Sequence, residues 1–225
     1  MSRTAHASGR ALAAAALLSL VSLHAGARDG AVPAKWVPGT NYTQLAAPQP
    51  TAAAKGKVEV LEIFWYGCGH CFALDPALES WNAGKPEYVE FTRLPVIWGA
   101  PHAQHAKLFY TLRSLKRDDL HAKVFAAIHE GGQMLAAQDE VAARAMHRKF
   151  LVAHGVSEKE FDAAYDSMTV ATQLRRAENL TRAYEVASVP LVIVNGKYAT
   201  GVSQAGGTPQ LLNLINDLAA SEKGR

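Results

Sequence analysis

The hydrophobic pattern of the first half of the chain alternates between a strand period and a helix period. Residues 58–64 are mostly apolar, which predicts a buried β-strand. Residues 72–81 repeat their apolar side chains every three to four positions, which predicts an amphipathic helix. Residues 87–94 alternate apolar and polar side chains and predict a second strand, parallel to the first. Together the three segments predict a strand–helix–strand unit of an α/β fold.

From residue 102 to residue 186 the pattern changes to one predicted helix after another. One of these helices places Val141, Ala145 and Phe150 on a single apolar stripe. The spacing of Ser157 and Glu160 matches a capping box at the start of the next helix. A strand pattern returns only after this region, so we expect a helical insertion within the α/β fold.

The last part of the chain returns to strands and ends in a helix. Residues 191–194 are all apolar and predict a strand. The Asn195-Gly196 pair that follows is the strongest short signal for a hairpin turn. Thr208 and Pro209 fit the N-cap and the first position of a final amphipathic helix.

The only two cysteines of the 225-residue chain, Cys68 and Cys71, lie between the first predicted strand and the helix after it. This places Cys68 at or near the helix N-terminus, where unpaired backbone N–H groups and the helix dipole favour a thiolate over a thiol. A Cys-x-x-Cys pair beside a strand–helix pattern is typical of thioredoxin-like redox motifs. We therefore interpret the pair as a redox centre.

Two other uses of the cysteine pair stay open at this point. A structural disulfide across so short a loop removes little entropy from the unfolded chain and would be a weak crosslink. A zinc or copper site would need ligands beyond Cys68, Cys71 and His70, because zinc usually takes four.

The helical region contains further residues whose types occur in metal sites. His102 and His105 are three positions apart, but no third ligand stands at a matching spacing. We therefore interpret both as solvated or core-edge histidines. Three single methionines of the same region are interpreted as gap-filling residues of the core, namely Met134, Met146 and Met168.

The net charge and the N-terminal segment indicate which kinds of partner the protein binds and to which compartment it is sent. The chain has 23 basic and 20 acidic residues, a net charge of +3, and the scattered basic residues argue against a nucleic-acid partner. Residues 1–27 have the pattern of a cleavable signal peptide, with Arg3 and Arg10, then an apolar stretch over 11–23, then a small-x-small sequence. Its removal takes away two arginines and no acidic residue, so the net charge falls from +3 to +1. Export to an oxidising compartment would allow a close cysteine pair to cycle between disulfide and dithiol.

The dipeptide Val189-Pro190 directly precedes the strand predicted at residues 191–194. A proline cannot donate to a sheet, so it fits only the start of that strand. One interpretation is a simple helix terminator. The other is a cis-proline beside Ser188 and Val189, which leaves neighbouring backbone groups free to pair with a substrate peptide.

Residues 60–64, the motif Cys68-Gly69-His70-Cys71 and residues 188–198 together resemble the DsbA family of periplasmic thiol–disulfide oxidoreductases. The likeness runs from about residue 36 to the final helix. It implies an α/β thioredoxin fold, with a central mixed sheet flanked by helices, and an inserted all-helical domain. On this resemblance the chain divides into a signal peptide (1–27), an N-terminal part of the thioredoxin domain with the redox motif (28–100), the helical insertion (101–170) and a C-terminal part with the cis-proline loop (171–225).

The resemblance also implies roles for individual residues. Cys68 is then the exposed nucleophile and Cys71 its buried partner. Pro190 is expected in the cis form, packed against the cysteine pair, with Ser188 and Val189 beside it at the substrate-binding site.

Three further residues are predicted to tune the redox pair. His70 stands between the cysteines and is expected to stabilise the Cys68 thiolate. Glu62 interrupts an apolar strand, so its carboxyl is expected to be buried, with a raised pKa, and able to exchange a proton with Cys71. The family has an acid at this position and a basic residue where Arg93 stands, and a buried structural ion pair is the alternative. Gly69 replaces the proline of the best-known members, and glycine makes the turn more flexible.

We therefore predict an enzyme, a periplasmic thiol:disulfide oxidoreductase. The resemblance implies that it donates the Cys68–Cys71 disulfide to newly exported, folding proteins and is reoxidised by a DsbB-like, quinone-linked membrane protein. We expect a monomer that needs no metal or other cofactor. The alternatives are a disulfide isomerase or reductase of the same fold and, from other classes, a copper- or zinc-handling carrier or a holdase chaperone.

Overall fold

The structure is a computed structural model that describes residue 1 and residues 30–224, so all but the first residue of the predicted signal peptide lies outside the described residues. Five strands, eight α-helices and one short 3-10 helix (Asp118–Leu120) follow one another within the described part. The strands are β1 (Thr43–Gln44), β2 (Val58–Phe64), β3 (Val89–Pro95), β4 (Leu191–Val194) and β5 (Tyr198–Thr200). The helices are α1 (Gly69–Gly84), α2 (Ala100–Ser114), α3 (His121–His129), α4 (Glu140–Ala153), α5 (Glu158–Tyr165), α6 (Met168–Ala183), α7 (Val202–Ala205) and α8 (Thr208–Glu222).

The strands form one mixed sheet in the order β1-β5-β4-β2-β3. β2 and β3 are parallel and are joined through α1, which confirms the strand–helix–strand unit predicted from the hydrophobic period. β4 pairs antiparallel with β2 on its other side, so β2 is a central strand and each of its residues is buried. Helices α2 to α6 all fall between β3 and β4, where the helical period predicted an insertion.

The two faces of the sheet belong to two hydrophobic cores. Val60 of β2 and Val192 of β4 pack with α1 and α8 on one face. Leu61 and Ile193, their neighbours along the same strands, pack with the inserted helices on the other face. Because side chains alternate along a strand, β2 is apolar on both faces, which explains its nearly continuous apolar sequence.

The prediction for the buried face of α4 is wrong. Val141 is 80% exposed and Ala145 is exposed as well, whereas Phe150 is buried as expected. His147 occupies the buried face instead, with no exposed area, and its Nε2 lies 2.7 Å from the carbonyl oxygen of Leu135. A histidine with its polar atoms satisfied can enter a core, and a stripe drawn through apolar residues alone misses it.

The histidines and methionines of the inserted helices also differ from expectation. His105 is fully buried, and its Nε2 lies 2.8 Å from the carbonyl oxygen of Met134, so the solvated or core-edge interpretation is wrong for it. The gap-filling interpretation is wrong for the methionines, because all three side chains are exposed. Within residues 30–224 no helix is both long enough and apolar enough to span a bilayer.

The local turn and cap signals have mixed outcomes. The capping box of Ser157 and Glu160 is present at the start of α5. Asn195 and Gly196 both have positive φ, as a two-residue hairpin turn requires. The N-cap prediction for Thr208 is wrong, because α8 begins at Thr208 and Gly207 is its N-cap. Gly207 has φ of 128°, a left-handed conformation that glycine adopts without steric cost, and this starts the helix one residue earlier than expected.

Candidate active site

Cys68 caps the N-terminus of α1. β2 ends at Phe64, a three-residue loop follows, and Cys68 has extended dihedral angles, φ −92° and ψ 114°. Its Sγ accepts the N–H of Cys71 at 3.3 Å, in place of the side-chain oxygen that usually caps a helix. Cys68 is partly exposed, whereas Cys71 is fully buried one turn further along the helix. The strand-to-helix position predicted for the pair is confirmed.

The two thiols have opposite electrostatic environments. The pKa of Cys68 is lowered from 9.0 to about 6, chiefly because the Cys71 thiol donates to it. The N–H groups of Cys71 and His70 and the charge of His70 lower the Cys68 pKa further, while partial burial opposes them. The pKa of the Cys71 thiol is raised, by its contact with Cys68 and by burial. In the reduced pair the negative charge therefore resides on the Cys68 sulfur. The N–H groups at the helix terminus lower the Cys68 pKa more than the charge of His70 does.

The proline loop lies directly against the exposed sulfur. The Val189–Pro190 bond is cis, as the family resemblance implied. The carbonyl oxygen of Val189 is 3.5 Å from the Cys68 Sγ. Ser188, Val189 and Pro190 line a cleft of about 410 Å³ together with His70, and residues 201–204 form its other wall. The structure thus places His70 and the predicted residues 188–190, about 120 positions apart in sequence, at one cleft.

Glu62 lies in β2 below the cysteine pair and is completely buried. Arg93, its register partner on β3, donates from Nε to Glu62 Oε2 at 2.8 Å. Burial raises the Glu62 pKa from 4.5 to about 7, although Arg93 lowers it. Glu62 Oε1 has no hydrogen-bond partner among the described residues, and the charge of Glu62 contributes to the raised pKa of Cys71.

Two further carboxylates share the same arginine. Asp75 Oδ1 lies 3.0 Å and Glu79 Oε1 lies 2.7 Å from Arg93 Nη2, and both residues belong to α1. Asp75 was missed from the sequence, although an acid on the apolar face of a predicted helix is an available signal for a buried charge. The cluster places one cation against three carboxyl groups, of which those of Glu62 and Asp75 are buried and that of Glu79 is exposed.

Two histidines of α3 also reach the redox loop and were missed. His121 and His129 both contact Tyr66, two positions before Cys68. They are 55 and 63 residues from Tyr66 in sequence, and no local pattern connects residues so far apart. Within the described residues no group of three or more histidine, cysteine or acidic side chains is arranged to hold a metal ion.

Gly69 is the first residue of α1, and a Cβ added there would meet no atom within 4 Å. Proline is favoured at this helix position, and the Cys68 dihedral angles are those a residue before proline adopts. We therefore expect Gly69→Pro to fold and to raise the free energy of unfolding by about 0.4–1 kcal/mol, because proline restricts the unfolded chain. Denaturant titration of the reduced protein measures this effect, with Gly69→Ala as the control. A destabilised Gly69→Pro variant would contradict it.

A Cys-x-x-Cys pair at the first turn of α1, a mixed sheet and a cis-proline beside the partly exposed Cys68 sulfur define the class of thioredoxin-fold thiol–disulfide oxidoreductases. Comparison with known proteins narrows the class. The model of the DSBA-like thioredoxin domain family matches residues 101–214. The thiol:disulfide interchange protein DsbA of Pseudomonas aeruginosa is 36% identical over 209 residues, 92% of this chain and 93% of that protein. DsbA of Azotobacter vinelandii is 37% identical, over 82% of this chain and 84% of that protein.

Solved structures agree with these relatives. The crystal structure of Pseudomonas aeruginosa DsbA superposes with a TM-score of 0.77 at 36% identity, over 84% of this chain and 95% of that one. The oxidoreductase DsbA of Xylella fastidiosa superposes with a TM-score of 0.76 at 26% identity, over 87% of this chain and the whole of that one. The chain belongs to the DsbA family.

Proposed function

We propose that this DsbA-type oxidoreductase is a periplasmic dithiol oxidase. In this proposal it donates the Cys68–Cys71 disulfide to newly exported proteins, and a DsbB-like membrane protein reoxidises it. Cys68 is the nucleophile, Cys71 the resolving partner, and Ser188, Val189 and Pro190 form the wall against which the substrate peptide lies. The observation that carries the proposal is the partly exposed Cys68 sulfur, stabilised as a thiolate beside a buried Cys71 thiol.

The first step forms a mixed disulfide. A substrate thiolate attacks the Sγ of Cys68, and the bond between Cys68 and Cys71 breaks. Cys71 leaves with the electron pair and takes up a proton, because its thiol has a raised pKa. Glu62 is proposed to supply that proton, since its pKa of about 7 leaves it largely protonated at slightly acid pH.

The second step releases the oxidised substrate. Another substrate thiolate attacks the substrate sulfur of the mixed disulfide, and Cys68 leaves as a thiolate. A leaving sulfur with a low pKa departs faster, so a Cys68 pKa of about 6 favours this step. The substrate has then lost two electrons to the enzyme, and its two thiol protons were released to solvent when its thiolates formed. The reduced enzyme holds Cys68 as a thiolate and Cys71 as a thiol, and Glu62 regains its proton from solvent. The reoxidising membrane partner is proposed to remove the two electrons.

The proposal predicts how redox state and pH change stability. The Cys68 pKa in the folded, reduced protein, about 6, lies below its ordinary value of 9.0, so the reduced unfolded chain binds more protons between these values. The thiolate therefore stabilises the reduced fold above pH 9, and this contribution is lost as the pH falls through 6. The oxidised chain has no thiol to titrate. We expect the reduced form to unfold with the higher free energy at pH 7, by a margin that grows from pH 6 to pH 8.

Denaturant titration of both redox forms across that pH range tests the proposal. A Cys68→Ser variant has neither the titrating sulfur nor the disulfide, so it is the control for the reduced form. The pH-dependent stabilisation that the Cys68 thiolate gives the reduced wild type should be absent from it. A reduced form less stable than the oxidised form at pH 7 would instead favour a reductase. Equal stability would favour a carrier or a chaperone, which binds partners without redox turnover.

A further inference from the structure

His129, the last residue of α3, contacts the loop that precedes the redox pair. Its Nε2 lies 2.8 Å from the carbonyl oxygen of Tyr66. A carbonyl oxygen can only accept a hydrogen bond, so the proton of the neutral ring is on Nε2 and His129 is the donor. The contact joins the inserted helices to the thioredoxin fold two residues before Cys68.

The same imidazole also contacts the residue after the redox pair. The ring of His129 stacks on the ring of Phe72, with centroids 4.8 Å apart and planes only 8° from parallel. Phe72 directly follows Cys71 in the first turn of α1. One side chain therefore contacts the chain two residues before the Cys68-x-x-Cys71 motif and directly after it.

His121, at the other end of α3, holds the Tyr66 side chain. Its Nδ1 lies 2.8 Å from the Tyr66 hydroxyl, and its Nε2 lies 3.3 Å from Asp75 Oδ1. The contact with Asp75 lacks the alignment of a hydrogen bond, so it is an electrostatic contact only, and either Tyr66 or His121 can donate in the shorter contact. The two ends of one nine-residue helix thus fix the main chain and the side chain of Tyr66.

The loop is held by the packing of Tyr66, which is fully buried against Phe64 and Phe125, and by the backbone contact to His129. Gly67 has no side chain, and a Cβ there would come within 2.4 Å of the Trp65 indole. Within the loop, the Cys68 N–H donates to the carbonyl oxygen of Trp65 at 3.0 Å. The orientation of the peptide between Tyr66 and Gly67 therefore controls how Cys68 enters its capping position.

We propose that His129 is a positioning residue for Cys68. Its hydrogen bond to Tyr66 and its stacking on Phe72 keep the Cys68 Sγ aligned with the N–H groups of the first turn of α1, which stabilise the thiolate. The inserted helices thereby help to set how strongly oxidising the disulfide is. This inference rests on the proposed oxidase function, because it concerns the same sulfur.

The test is a His129→Phe variant, which keeps an aromatic ring against Phe72 but removes the N–H donor. We expect the Cys68 thiolate to titrate at higher pH. We also expect the equilibrium constant for reduction of the enzyme disulfide by glutathione to fall about fivefold, the factor that corresponds to one hydrogen bond of ordinary strength. Ultraviolet thiolate absorbance and glutathione equilibration measure the two effects.

His154→Phe is the matched control. His154 Nδ1 lies 2.8 Å from the carbonyl oxygen of Phe150, and its ring packs on the Phe150 ring, but it follows α4, away from the redox loop. A general effect of replacing a partnered histidine would appear in both variants. Only His129→Phe is expected to move the thiolate titration and the equilibrium constant.

Other outcomes are equally informative. A His129→Gln variant, whose side-chain amide can donate to the Tyr66 carbonyl, should recover part of the change. His129→Leu, which also lacks a donor, replaces His129→Phe if that variant fails to fold. Wild-type values of both quantities in the folded His129→Phe variant would overturn the inference. If glutathione reduces the wild-type disulfide no more readily than an ordinary protein disulfide, the oxidase proposal is overturned instead. The ratio between variant and wild type would still decide the role of His129.

Discussion

A Cys68→Ser variant is expected to lose dithiol oxidation completely, with the rate falling to that of the uncatalysed reaction. Serine cannot form the disulfide that the enzyme donates, and the remaining thiol of Cys71 is fully buried with a raised pKa. Because the thiolate is the reactive form, Cys71 cannot replace the lost nucleophile. Oxidation of a two-cysteine peptide measures the loss, with unfolding by denaturant as the check that the variant is folded.

Cys71→Ser is the matched control for this prediction. It also lacks the disulfide, but it keeps the partly exposed Cys68 sulfur at the cleft of the proline loop. We expect it to form a stable mixed disulfide with oxidised glutathione, whereas Cys68→Ser should react far more slowly. Faster mixed-disulfide formation by Cys68→Ser would reverse the assignment of the two cysteines.

Replacing Arg93 with methionine is expected to lower the free energy of unfolding by about 3–5 kcal/mol at pH 8, the usual effect of removing one member of a buried charge cluster. Methionine has similar length but leaves the buried carboxyl groups of Glu62 and Asp75 without their cation. The desolvation of those carboxyl groups remains, and the attraction that offset it is lost. Denaturant titration measures the change.

The pH dependence of this effect separates lost charge pairing from lost packing. The folded pKa of Glu62, about 7, lies above its ordinary value of 4.5, so this group makes the fold less stable as the pH rises between the two values. Without Arg93 the Glu62 pKa rises further, and the destabilisation should shrink as the pH falls toward 5. The double variant with Glu62→Gln should recover part of the loss at pH 8. A pH-independent loss would show that packing accounts for it.

Arg182→Met is the control for the arginine substitution. Arg182 pairs with Glu178 one turn earlier on α6, and both side chains are more than half exposed. Exposed pairs of this kind contribute about 0.3–0.5 kcal/mol. The loss of unfolding free energy should therefore be several-fold larger for Arg93→Met than for Arg182→Met.

The features that were predicted correctly depend on residues close together in sequence. The buried strand at residues 58–64, the helix after Cys68 and the Asn195-Gly196 turn each follow from a local period or from one dipeptide. The raised pKa of Glu62 followed from its place between the apolar residues Leu61 and Ile63 of a predicted buried strand. The cis form of Pro190 was different, because only the family resemblance indicated it.

The errors arose where long-range contacts decide burial. His147 enters the core of the inserted helices because Leu135 offers it a carbonyl oxygen, and that contact moved the buried face of α4 away from Val141. No role was predicted for His129, which reaches Tyr66 across 63 residues. Helical period identifies a helix from its own residues, but it does not say which carbonyl oxygen lies opposite a polar side chain.

The order of the strands has a consequence for the biosynthesis of the protein. β4 lies between β2 and β5, yet residues 191–194 are among the last to be synthesised. Cys68 and the Val189 carbonyl that faces it are separated by 121 positions, so both thiols emerge long before the proline loop that covers one side of them. Until then the N-terminal strands lack their central neighbour, and closure of such a distant pairing is intrinsically slow. Until the proline loop has been synthesised, the nascent enzyme is thus a chain with two uncovered cysteines. This is the same chemical form as the proteins that it is proposed to oxidise.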